Sequence, residues 1–158
     1  MFILISSLIV AMASCSPAAD NSPADGFTLR SLLGSKINSA SVQKEVSNLG
    51  LKRQLLKGDV NYYSYEHGLT ILTRRGRVWR IVLKPNLDPD LDYKEYKGAL
   101  PLGVKRHLSP EGLISRLGKP TNDDGSKDDR WLIYDKSQYS YTFVFDGDIL
   151  RTIMIDGP

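Results

Sequence analysis

The chain has 158 residues, a quarter of them charged, with a formal net charge of +3 and a pI near 8.9. That length suits one domain with a modest core, or two small halves packed together. Charges of both signs are interspersed, without the Lys/Arg stripe and interleaved aromatics of a nucleic-acid binder. A single cysteine excludes a disulfide within the chain, so the fold must rely on packing alone.

Residues 1–14 begin MFILISSLIV, apolar apart from two serines, and continue through the small residues Ala11, Ala13 and Ser14. The run is shorter than the roughly 18 apolar residues that cross a bilayer, and reads as a signal-peptide h-region with its cleavage site. Ala13, Ser14 and Cys15 together resemble the lipobox of bacterial lipoproteins, although Met12 stands where that family usually carries Leu and no Lys or Arg precedes the apolar run. The resemblance implies acylation of Cys15, as with palmitate, to give a lipid-anchored mature N-terminus. Acylation would also remove a reactive thiol from an oxidising compartment. Ser16 follows, where aspartate is the usual inner-membrane retention signal; by resemblance to Gram-negative lipoproteins, an outer-membrane address facing the periplasm is expected. Residues 15–26, CSPAADNSPADG, hold no large apolar side chain and are predicted to be a flexible tether.

The rest divides into halves with one plan: repeat 1 over residues 27–84, a proline-bearing linker over 85–100 and repeat 2 over 101–158. Gly34 and Gly103 are 69 positions apart, Leu49 and Leu117 are 68, Tyr63 and Tyr134 are 71, and Gly76 and Gly147 are 71. Each half runs from a Leu-Gly pair through a short helix ending in Leu-Gly to three strands, which predicts a diverged tandem duplication.

In repeat 1, Asn38 or Ser39 caps a helix whose Val42, Val46 and Leu49 recur at i, i+4 and i+7, and Gly50 ends it, after an expected helical turn over 28–33. Leu69 and Ile71 then face a core, and Gly76 turns the chain into 78–83. In repeat 2, Ser109 is an N-cap with Pro110 at the first helical position and Glu111 in the first turn; Leu113, Ile114 and Leu117 form the apolar face, and Gly118 and Pro120 stop the helix. Tyr139, Tyr141, Phe143 and Phe145 alternate along a strand, and Gly147 turns it toward Ile149, Ile153 and Ile155. The expected fold class is α+β, two tandem helix-plus-antiparallel-sheet repeats packed as a two-layer domain.

Gly103, the capped helix from Ser109 to Leu117, Leu117-Gly118-Lys119-Pro120, Trp131, Tyr134, Phe145 and Gly147 resemble the repeat of small outer-membrane lipoproteins of the SmpA/OmlA (BamE-like) type and of β-lactamase-inhibitor-protein modules. The match covers about sixty residues of the second half; the first departs from it at Gly50, where no proline follows. Such a motif speaks to fold more than to function.

Catalytic constellations are absent from the sequence. His67 and His107 stand apart, in no metal-binding pair, and there is no GxSxG, P-loop or dinucleotide fingerprint. A non-enzymatic protein without cofactor or metal is expected. Asp123, Asp124, Asp128 and Asp129 lie in TNDDGSKDDRW, whose spacing misses the EF-hand pattern, so this stretch is predicted to be a solvated loop rather than a cation site. In TRRGRVWR, Arg74, Arg75, Arg77 and Arg80 surround Trp79. Three readings stand open there: an interface hot spot, contact with anionic lipid head groups, or arginines that keep a hairpin edge soluble. Tyr62, Tyr63 and Tyr65 follow so closely that at least one must leave the core face, and exposed tyrosines make good protein-contact area; packing between the halves is the other use for them.

The candidate partner-binding residues are therefore Tyr62, Tyr65, Arg75, Arg77 and Trp79. The expected role is a protein-binding envelope lipoprotein, held to the membrane through its lipid and binding no nucleic acid. By resemblance to the inhibitor modules it would be an immunity or inhibitor protein, blocking a secreted hydrolase or toxin by occlusion. By resemblance to the SmpA/OmlA type, the alternative is an accessory of outer-membrane assembly or envelope integrity.

Overall fold

The computed structural model describes residues 29–87 and 92–158. The signal peptide, Cys15 and the tether, together with residues 88–91 of the linker, lie outside the described residues.

Eight strands dominate the structure. β1 (Lys52–Leu56), β2 (Asp59–Ser64), β3 (Leu69–Arg74) and β4 (Arg77–Leu83) come from the first half; β5 (Asn122–Gly125), β6 (Asp129–Lys136), β7 (Tyr139–Asp146) and β8 (Ile149–Asp156) come from the second. All pairings are antiparallel, in the order β1-β2-β3-β4-β8-β7-β6-β5. Each half is a meander, and the two join where β4 pairs with β8, with Arg80 opposite Asp156, Ile81 opposite Ile155 and Leu83 opposite Ile153. The expected α+β fold of two tandem helix-plus-sheet repeats is therefore wrong. The hydrogen-bond ladder runs through the junction, so the halves build one continuous sheet, against which α1 (Ala40–Asn48) and α2 (Pro110–Leu117) are only nine and eight residues long. The fold is sheet-dominated.

Two of the strands were not expected. β1 and β5 are the sheet edges, and neither buries a side chain, so neither carries hydrophobic alternation to betray it. The aspartate run predicted as loop pairs instead, with Asp123 opposite Leu132 and Asp124 opposite Trp131. Charges and brevity at both edges also discourage pairing with other chains.

Both helices begin and end where local chemistry dictates. The Ser109 hydroxyl accepts a 3.2 Å hydrogen bond from the Gly112 N–H, Pro110 occupies the first position, and Gly118 closes α2 with φ +85°. Ser39 is the N-cap residue of α1, although its side chain caps nothing there. Ahead of α1, Leu29 and Arg30 are helical, residues 31–34 turn, and Leu29, Leu32 and Leu33 are buried.

Strand alternation divides the side chains between two faces. One face holds Tyr62, Leu69, Ile71, Ile81, Leu83, Leu132, Tyr134, Tyr141, Phe143, Ile153 and Ile155, and these cluster with Val42, Val46 and Leu113 of the helices. Hydrogen bonds tie the layers: Gln43 Nε2 donates to Tyr62 Oη at 3.3 Å, Tyr134 Oη donates to the Gly118 carbonyl at 3.1 Å, and Arg30 donates to Tyr141 Oη at 3.0 Å.

A β-bulge interrupts the β3–β4 register between Leu72 and Thr73, and another interrupts β7–β8 between Val144 and Phe145. An extra residue shifts the alternation by one. The second bulge explains why Leu150 is buried while Ile149, expected in the core, is 45% exposed.

The described part of the linker packs against one end of the sheet. Tyr96 is fully buried; its N–H donates to the Lys84 carbonyl at 2.7 Å, and its own carbonyl accepts from Arg106. Asn86 Nδ2 donates to the carbonyls of Arg106 and Leu150, at 2.9 and 2.8 Å.

Candidate functional site

The sheet face turned away from the helices has no covering layer among the described residues. By register, one row across it runs Tyr63, Thr70, Val82, Met154, Thr142, Ile133, and a neighbouring row includes Val144 and Trp131. Most of these side chains shield one another and are half-buried, while Trp131 is 40% exposed. At the β2 end the face carries an aromatic stack: the rings of Tyr63 and Tyr65 meet edge-on at 5.0 Å and those of Tyr65 and Tyr93 at 4.6 Å. Tyr93 reaches the face from the linker, its hydroxyl 3.1 Å from Thr70 Oγ1 and its ring 6.0 Å from Lys84 Nζ. Partial desolvation in the stack, with the phenols of Tyr93 and Tyr63 alongside, pushes the Tyr65 phenol above its ordinary value. At the far end, Trp131 Nε1 donates to Asp129 at 2.9 Å.

The five predicted contact residues do not form one patch. Tyr62 points into the core, 8% exposed, whereas Tyr65 is 44% exposed on the open face. Trp79 sits in the first bulge, its ring stacked by Arg74 at 4.7 Å and Arg80 at 4.3 Å. Arg80 in turn forms a bidentate pair with Asp156, at 2.5 and 2.9 Å, across the β4–β8 junction. Leu56, Asn61, Leu72, Arg74 and Trp79 line a shallow cavity of about 190 Å³. Arg75 occupies the β3–β4 turn with φ +51°, its N–H held by Asp59 at 2.9 Å. The Arg77 guanidinium donates to the Gly34 carbonyl at 2.8 Å, and the Arg77 backbone forms an isolated antiparallel β-bridge with Lys36. Trp79, Arg75 and Arg77 thus belong to a corner of the sheet at the hairpin tips, and Tyr65 to the other end of β2. Cys15 lies outside the described residues.

Sequence reading missed Tyr93, Met154, Ile133 and Val144 as surface. For the last three the signal was available, since they are the off-phase positions of strands whose in-phase residues were assigned to the core. Tyr93 carries no periodic signal because it reaches the sheet from a loop.

His67 and His107 lie in separate segments, and no group of three or more His, Cys, Asp or Glu side chains among the described residues is arranged to hold a metal ion. Arg130 instead gathers carboxylates into ion pairs, with Asp123 at 2.7 Å and Glu111 at 2.7 Å, which holds the Asp123 carboxyl below the usual aspartate range. No helix among the described residues is long and apolar enough to cross a membrane.

No protein-family model and no curated protein matches the sequence. Among solved structures, the chain is similar to YjgB, a DUF4309 family protein from Bacillus subtilis, at 15% identity and a TM-score of 0.37; the likeness covers 68% of this chain and 64% of that one, less than two thirds of its length.

Proposed function

We propose that this protein is a non-enzymatic envelope lipoprotein that binds another protein through the open face of its sheet. The observation that carries the reading is that face itself: an aromatic stack of Tyr63, Tyr65 and Tyr93 at one end, Trp131 at the other, and half-buried Val82, Met154, Ile133 and Val144 between them. Large, stiff aromatic side chains supply contact area at low entropic cost, and Tyr and Trp are enriched at interface centres. A sheet packed on its opposite side offers a rigid surface, which suits occlusion of a secreted hydrolase or toxin. Anchorage through Cys15 rests on the lipobox resemblance and would hold this surface at the outer membrane.

The test is affinity capture of the tagged full-length protein from detergent-solubilised membranes, with mass spectrometry of stoichiometric companions. The same capture is then run with Tyr65→Ser/Trp131→Ser, which alters two exposed side chains. A secreted hydrolase or toxin that is captured by the parent and lost from the double variant supports the reading. Retention of that partner by the variant would remove the open face from the interaction. Capture of barrel-assembly components instead would replace the inhibitor role by an envelope-assembly one.

A further inference from the structure

We propose that the corner formed by the β1–β2 and β3–β4 hairpin tips docks on an anionic lipid surface. The corner is one extremity of the same sheet face, since Asp59 and Asn61 are in phase with Tyr63 along β2 and Leu72 with Thr70 along β3, but it uses none of the residues on which the proposed protein contact rests. Asp59, the first residue of β2, accepts the Arg75 N–H, which holds the two tips side by side. Leu56 and Asp59 are paired across the first tip, Arg74 and Arg77 across the second, and a backbone β-bridge sets Lys36 opposite Arg77. Five cationic side chains, those of Lys36, Lys57, Arg74, Arg75 and Arg77, are thereby gathered and exposed; the carboxylate bonded among them is Asp59. The Arg74 guanidinium spends its face on Trp79, leaving its N–H edge to anions.

The same tip carries apolar side chains that no neighbour among the described residues covers. Leu55 is 64% exposed and Leu56 51% exposed, with the indole of Trp79 beside Leu56 in the shallow cavity. Exposed leucines beside a half-buried tryptophan, flanked by arginine and lysine, match a lipid head-group boundary, where apolar tips enter the acyl margin and cations meet phosphates. An acidic protein partner would use the charges but gives no reason for two bare leucines at a turn.

The opposite end of the sheet is charged the other way. β8 runs antiparallel to β4, so the β7–β8 tip lies at the end away from the basic corner. The Gly147 N–H of that tip donates to the Asp128 carbonyl of the β5–β6 turn. Asp123, Asp124, Asp128, Asp129, Asp146 and Asp148 lie toward that end, with Glu95 beside Asp148, against Lys127, Arg130, Arg151 and Arg106. An anionic membrane would attract one end and repel the other, standing the sheet on its basic corner.

The test is partition of the full-length chain, with Cys15→Ser so that acylation does not anchor it, onto phosphatidylcholine vesicles with and without phosphatidylglycerol. The apolar N-terminal residues contribute to both compositions, so the difference reports charge. Stronger binding to the anionic vesicles is expected, weakening as salt rises. It should fall roughly a hundredfold in Lys57→Gln/Arg74→Gln/Arg75→Gln, at about fivefold per basic residue near the surface. Leu55→Ser/Leu56→Ser should weaken it several-fold, while Lys105→Gln/Lys127→Gln, at the other end of the sheet, should leave it unchanged. Equal partition onto both compositions, an unaffected triple variant, or an equal loss in Lys105→Gln/Lys127→Gln would overturn the proposal. So would vesicle-free self-association abolished by the triple variant, which would assign the corner to the acidic end of another copy.

Discussion

Gly68 shows how little room single positions leave. Its φ is +55°, and a Cβ added there would stand 2.3 Å from the Lys94 carbonyl oxygen and 2.6 Å from the Tyr96 nitrogen, both backbone atoms that cannot swing aside. Gly68→Ala is expected to cost about 2–4 kcal/mol, combining left-handed strain with overpacking, and urea denaturation would read it as a lowered midpoint. An unchanged midpoint would mean that the linker does not seat over the β2–β3 loop. Asn86 makes the complementary case, because one side-chain amide serves two carbonyls far apart in sequence. Asn86→Ala should destabilise by about 1–3 kcal/mol, since the carbonyls of Arg106 and Leu150 lose their donor; the same denaturation experiment checks it. At this scale the sequence was readable wherever a residue acts on its near neighbours. Ser109 capping and the positive φ of Gly118 follow from three or four adjacent residues, whereas Gly68 is obligatory because of a segment some 26 positions away.

Among the elements, the edge strands and bulges carry the lesson. β5 is held to β6 partly through Arg130, which also reaches Glu111 at the start of α2. Because this pairing lowers the folded pKa of Asp123, its stabilisation is fully present above the ordinary aspartate range. It is lost as pH falls through the lowered folded value. The partners are largely exposed, so the contribution is a few tenths of a kcal/mol. Denaturation midpoints of the parent and Arg130→Met should therefore differ slightly at neutral pH and converge in acid; a gap that widened as pH fell would reverse the assignment. The central strands were legible because one of their faces is buried. β1 and β5 were not, since an edge strand of exposed polar residues has the composition of a loop and is made a strand only by its neighbour's hydrogen bonds. The bulges were equally silent: a bulge displaces the alternation without changing the residue types, so Ile149 looked as inward as Ile153.

Across the whole molecule, the β4–β8 pairing decides whether two halves behave as one. Ile81, Leu83, Ile153 and Ile155 are all fully buried along that line, and Tyr141 pairs with Ile155 on the next strand. Ile155→Ala should cost about 2–5 kcal/mol as a buried large-to-small change. With a shared sheet and a shared core, thermal unfolding of parent and variant should each remain a single transition by calorimetry. Two separated transitions would show that the halves fold independently.

Hydrophobic alternation, helix caps and turn glycines were enough to assign both helices, six of the eight strands and most of the buried face, because these signals act over a few residues. Tertiary structure alone decided that the ladder passes from β4 to β8, which turned two expected layered repeats into one sheet: a hydrogen bond between strand edges leaves no trace in side-chain pattern. It also separated Tyr62 from Tyr65 and joined Arg75 and Arg77 to Leu56 and Lys57. Which face a strand buries depends on what packs against it, and which hairpin tips become neighbours depends on the order of strands in the sheet.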